Sequence, residues 1–148
     1  MIKHVMPPPL FLMWHFPAYP APDSQVDAGL LAAVWRDGRV VRARSESDIG
    51  RVYVEGLLSE KQLAETRRFL AENIPVLRRE QADTVPDDAG FDTFYVRSDR
   101  DVEKWSFVRI QGTHRTIDQV RAHLLSLDFA QERPIDIDWK SIPEQWRK

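Results

Sequence analysis

The chain predicts an α+β fold, a mostly antiparallel sheet of five to seven short strands with two amphipathic helices, about residues 59–74 and 116–128, packed on one face. Three observations lead there. Asp37-Gly38 stands between two apolar runs, the strongest short-range signal for a β-hairpin. Several stretches alternate apolar and polar residues with period two, as half-buried strands do. Two segments open with a capping box and continue with apolar residues three and four apart, as helices with one buried face do.

Residues 1–28 read as a Pro-rich arm and loop. Pro7-Pro8-Pro9 sets an extended entry, and the apolar residues 10–16 follow as a strand buried on both sides or an arm packed on the core. Pro17, Pro20 and Pro22 then mark a loop. The apolar run breaks at His15, short of a clean secretory core and far short of the ~20 residues of a membrane span. No membrane partner and a cytoplasmic location are therefore expected.

Residues 30–36 and 39–44 form the first hairpin. A two-residue turn at Asp37-Gly38 sets Arg36 opposite Arg39, Trp35 opposite Val40, Val34 opposite Val41 and Ala33 opposite Arg42. That register gives a core face of Ala32, Val34, Val41 and Ala43, and an outer face of Leu31, Trp35, Val40, Arg42 and Arg44. Residues 51–55 make a third strand with Val52 and Val54 inward, Arg51 and Tyr53 outward, and Gly56 at its end.

Ser59 and Gln62 form the first capping box, Leu63, Thr66, Leu70 and Ile74 form the stripe behind it, and Pro75 stops the helix. Residues 76–90, rich in charge and poor in apolar side chains, read as the longest exposed loop. Residues 93–97 and 104–110 form a second hairpin through the polar turn 98–101, and Thr116 with Gln119 starts the second helix on the stripe Ile117, Val120, Leu124 and Leu127. Hairpin, glycine and capped helix thus occur twice, which reads as a pseudo-duplication. Residues 134–148 form a tail packed on the core, with an alternating edge strand at 134–139.

At 148 residues the chain suits one domain, 1–148, burying roughly 70% of its unfolded surface. A net charge of −2 argues against a dedicated nucleic-acid binder. The absence of Cys excludes disulfides, iron–sulfur clusters and thiol nucleophiles, so chemistry would rest on oxygen and imidazole groups. The histidines at 4, 15, 114 and 123 are not at metal-ligand spacing, and His114 before the second helix lacks the glycines of a phosphate cradle. Asp83, Asp87, Asp88 and Asp92 lack the order of a calcium loop, and Asp136 with Asp138 lacks a third ligand. No catalytic signature fits, and no cofactor or metal is expected.

Surface composition remains. Trp35, Arg42 and Arg44 share the outer face of the first hairpin, and Arg51 and Tyr53 extend it; these residue types are enriched at interface hot spots. The expected function is a small non-catalytic binding or adaptor domain acting on another protein through this face. The alternative is a small enzyme or ligand-binding protein with a site between the sheet and the 76–90 loop. A flat aromatic–arginine patch favours the first, and a convergent, buried set of titratable groups the second.

Overall fold

The computed structural model describes residues 7–17, 28–82, 84, 90–108, 115–136, 143 and 146. Seven strands, β1 (Phe11–Phe16), β2 (Gly29–Val34), β3 (Arg39–Ala43), β4 (Tyr53–Leu57), β5 (Phe91–Arg97), β6 (Val102–Val108) and β7 (Ala130–Ile135), form one sheet in the order β6-β5-β1-β2-β3-β4-β7. Every neighbouring pair is antiparallel. A 3-10 turn, Glu46–Asp48, links β3 to β4; α1 (Glu60–Glu80) follows β4, and α2 (Thr116–Leu125) lies between β6 and β7. The fold is α+β, as expected from the sequence.

The N-terminal apolar run becomes an interior strand. Leu12 pairs with Ala33 of β2 on one side and Tyr95 of β5 on the other. Phe11 through His15 are buried, which suits a run with one polar residue among its first five.

Pairing across the sheet defines its two faces. One carries Met13 and His15 of β1, Asp92 and Phe94 of β5, Trp105 and Phe107 of β6, and Ala32 and Arg42 of β2 and β3. Both helices lie over this face: Leu70 and Leu77 of α1 and Val120 and Leu124 of α2 are fully buried against it. Each such side chain contributes about 1.5–3 kcal/mol by leaving water. The second face carries Leu12, Trp14, Ala33 and Val41, also buried.

The first hairpin turns where expected, but its register is one residue off: Val34 pairs with Val40, Ala33 with Val41 and Ala32 with Arg42. Trp35 N–H donates to Arg39 O at 2.9 Å, Gly38 N–H donates to Trp35 O at 3.1 Å, and Gly38 has φ +93°. The loop therefore holds three residues, with glycine in the left-handed position, rather than two. Because side chains alternate strictly, one extra loop residue exchanges which face of β3 meets which face of β2. Arg42 consequently shares a face with Ala32, beneath the helices.

Helix boundaries also differ. The Ser59–Gln62 capping box forms, but α1 continues through Pro75 to Glu80, so residues 76–80 are helix and not loop. Pro75 and Ala71, whose carbonyl loses its donor, are both exposed. Leu77 is fully buried, and Arg78 binds Glu103 at 2.6 Å and lies 5.7 Å from the Trp105 ring centre; these contacts favour continuing the helix past the proline. At α2 the cap is Arg115 rather than Thr116. Asp118 accepts from Arg115 N–H at 3.2 Å, while the Glu80 carboxylate takes the Thr116 N–H and hydroxyl, each at 3.2 Å. The end of one helix thus supplies the acceptor for the start of the next.

The helix over 116–128 ends at Leu125, and the edge strand starts at Ala130 rather than at 134. The expected loop at 18–27, most of 83–89 and the tail at 137–142 lie outside the described residues. The two units that the sequence reads as a pseudo-duplication differ in size, with a helix of 21 residues in one and 10 in the other, and the second glycine, Gly112, is outside the described residues.

A Cβ at Gly38 would stand 2.9 Å from Leu58 O in a backbone conformation hostile to branched side chains. Gly38→Val should cost ~1–3 kcal/mol, read as a lower urea midpoint; an unchanged midpoint contradicts the turn. His123 of α2 stacks on Phe69 of α1 at 4.2 Å, and burial holds its imidazole below the ordinary value of 6.5. Its folded-state affinity for a proton is thus lower than its unfolded-state affinity, so stability is fully present above pH 6.5 and falls as pH drops through that value. Replacing His123 with Leu should remove that part of the acid-side loss in thermal melts; identical pH profiles would refute it.

Candidate functional site

The five residues expected to form an exposed partner face do not form one. Trp35 is 2% exposed; its indole N–H donates to Pro7 O at 2.7 Å and its ring meets Trp146 edge-on at 5.5 Å. Tyr53 is buried, with its hydroxyl donating to Leu30 O at 2.6 Å and accepting from Gly50 N–H at 3.0 Å. Burial pushes its pKa up to about 12. Arg42 is buried under the helices. Its Nε–H donates to Leu127 O at 3.0 Å, its Nη1 to Ala43 O at 2.9 Å and Arg44 O at 3.2 Å, and it lies 5.3 Å from the Phe129 ring centre. Arg44 and Arg51 are exposed, and Arg44 pairs with Asp48 at 3.0 Å. The outer face inferred from a two-residue turn is dissolved by the three-residue one: Arg42 turns inward, and Trp35 becomes the closing residue of the hairpin.

Two open clefts lie at the end of the sheet where the β2–β3 and β5–β6 turns meet. One, about 430 Å³, has Pro7, Pro8 and Trp35 in its wall and Arg36, Arg97 and Asp99 on its rim. Arg36 and Asp99 bridge the two turns at 2.7 Å. The other, about 420 Å³, is lined by Glu55, Gly56 and Leu57 of β4 and by Gln131 and Arg133 of β7. Arg39 lines both. The pairs Arg39–Leu57 and Glu55–Arg133 place these side chains on the face opposite the helices. Leu57 is 47% exposed, the exposed large apolar side chain among the described residues.

The β4–β7 ladder slips here, between Glu55 and Leu57, and Gln131 takes φ +59°. A non-glycine residue in that region costs energy and marks a place the surrounding structure has over-determined, here the wall of the second cleft.

A third cluster sits under α2. The Asp92 carboxylate, fully buried, receives His15 Nδ1 and Arg121 Nη1 on the same oxygen, each at 2.7 Å. Arg121 Nη2 donates to Glu46 Oε1 at 2.8 Å. Sequence reasoning missed this site because His15 and Asp92 are 77 residues apart and Asp92 and Arg121 a further 29. The available signal was polar residues at apolar positions: His15 inside a buried strand and Arg121 on the buried stripe of α2. Of the alternative site between the sheet and residues 76–90, residues 76–80 belong to α1 and Glu80 caps α2, while 83 and 85–89 lie outside the described residues.

Among the described residues no group of three or more ligating side chains converges to hold a metal ion, and no helix is long and apolar enough to cross a membrane. No protein-family model, curated protein or solved structure matches the chain.

Arg42 now carries a stability prediction. Truncation to Ala strands the carbonyls of Leu127 and Ala43 and removes the cation from the Phe129 face, so Arg42→Ala should cost at least ~2 kcal/mol in urea unfolding. A change below ~0.5 kcal/mol, the size of an ordinary surface substitution, would overturn it.

Proposed function

We propose that the protein is a non-catalytic binding domain, and that it takes a segment of a partner protein across the turn end of the face opposite its helices. The observation that carries this reading is the pair of clefts joined at Arg39, each within the ~300–1,000 Å³ range of ligand sites and separated from the helices by the sheet itself. The apolar content is Leu57 with the wall of Trp35, Pro7 and Pro8.

The rim is charged but nearly balanced. Arg36 is paired with Asp99, Arg39 stands 3.8 Å from Asp37, and Arg133 binds Glu55. Arg97 instead gives its Nη2 to a neutral carbonyl, Trp146 O, at 2.8 Å. Four arginines against three carboxylates leave a net positive rim, which fits a partner segment presenting an apolar side chain beside a carboxylate. Trp35 keeps a role in this reading as buried support of the cleft wall rather than as an exposed anchor.

The test is selection from a random peptide display library on the wild-type protein, followed by titration calorimetry. Selected peptides should carry an apolar residue near an acidic one. Leu57→Asp and Arg39→Glu should each weaken them at least ~10-fold while leaving the melting temperature within a degree or two. Failure to enrich any sequence, or equal affinity for both variants, rejects the reading.

A further inference from the structure

The clefts leave the cluster under α2 unexplained, and its hydrogen bonding is incomplete in a specific way. Arg121 is 4% exposed, and its Nε is the buried side-chain nitrogen, among the described residues, with no hydrogen-bond partner. Buried donors left unmade are rare, because each forfeits the water it lost without replacement. Each of the other two guanidinium nitrogens has a carboxylate partner, Nη1 on Asp92 and Nη2 on Glu46.

Nε and Nη2 lie on one edge of the guanidinium plane, spaced to receive both oxygens of a single carboxylate. Glu46 fills half of that fork: its Oε1 meets Nη2 at 2.8 Å and no oxygen reaches Nε. The opposite edge is immobilised. Asp92, with no exposed surface, holds Nη1 at 2.7 Å, and His15 donates to the same oxygen. The 2.7 Å contact with a carboxylate requires the proton on His15 Nδ1, so the 3.4 Å approach of Arg121 Nη1 to that nitrogen sets two donors side by side and satisfies neither. Arg121 is thus aimed by Asp92, with its second edge incompletely used.

We propose that Arg121 anchors a binding site for a small organic monocarboxylate, and that the Glu46 carboxylate is its internal occupant. Glu46 is suited to being exchanged: its side chain is 60% exposed and stands on a single 3-10 turn, Glu46–Asp48. A ligand carboxylate replacing it conserves the charge around Arg121 and adds the bond to Nε that Glu46 does not make. A dianion such as phosphate would add a second negative charge beside Asp92, so the site discriminates by charge as well as by shape. The internal carboxylate keeps the apparent affinity low, because a ligand sees only the fraction of molecules in which the fork is open.

The experiment uses acetate as the probe, with inorganic phosphate and chloride at matched ionic strength, and follows the Arg121 Nε–H resonance in ¹⁵N-labelled protein. In the wild type, acetate should move that resonance weakly and at high concentration. In Glu46→Ala, acetate should bind at least ~10-fold more tightly and raise the melting temperature, while phosphate and chloride do neither. Equal acetate affinity in the two proteins, no movement in either, or an equal response to phosphate or chloride overturns the proposal. Should the variant fail to fold, the wild-type titration alone decides, since an Nε–H resonance that acetate does not move rejects the site.

Discussion

The architecture depends on β1 being buried on both faces. A run reading Phe-Leu-Met-Trp-His-Phe has no wet side to offer, so it can be satisfied only inside a sheet with cover above and below. By pairing with β2 and β5 it joins two units that are local in sequence, β2 to β4 with α1 and β5 to β6 with α2, and β7 completes the seven-stranded sheet beside β4. The same pairing carries His15 to Asp92 in register, so the polar residue within the apolar strand finds its partner as a consequence of strand order.

Arginine then does much of the fastening between layers. Arg78 ties α1 to Glu103 and the Trp105 ring, Arg115 gives Nη1 to Val108 O and lies over Phe107, and Arg121 ties α2 to Asp92. Arg42 points the other way, from the sheet to the chain beyond α2. A long aliphatic stem ending in a planar set of donors suits this position, because it buries carbon against aromatic rings while satisfying carbonyls and carboxylates that burial would otherwise leave unmet. Among these contacts the Arg121–Asp92 pair is buried, whereas Arg78 and Glu103 remain about half exposed.

Both sheet edges are partly closed. On β6, Ser106 O accepts from Ala82 N–H and Val108 O accepts from Arg115. On β7, Pro134 lacks a donor, Glu132 and Arg133 are charged, and the slip at Gln131 bends the ladder. These are the devices that discourage one sheet from adding to another. The slip on β7 serves both ends, blunting the edge and shaping the cleft beside Leu57.

The sequence by itself determined what is written within a few consecutive residues. Asp37-Gly38 located a turn, Ser59 with Gln62 located a helix start, and the period-two stretches located strands, because each signal acts through neighbouring backbone groups. Tertiary structure decided whatever depended on distant contacts. Whether the turn held two residues or three set the parity of the hairpin, and with it whether Arg42 faced water or the helices; local chemistry permits both. Pro75 ended a helix on local grounds and was overruled by Leu77 and Arg78, whose partners lie on β6 and in the core. Thr116 read as a cap until Glu80, 36 residues earlier, supplied the acceptor. Trp35 read as an exposed anchor until Pro7 and Trp146 closed over it, and Arg121, to which the sequence drew no attention, is held inside by Asp92. Burial is a property of pairs far apart along the chain, and alternation along one strand specifies two faces without specifying which neighbour will cover them.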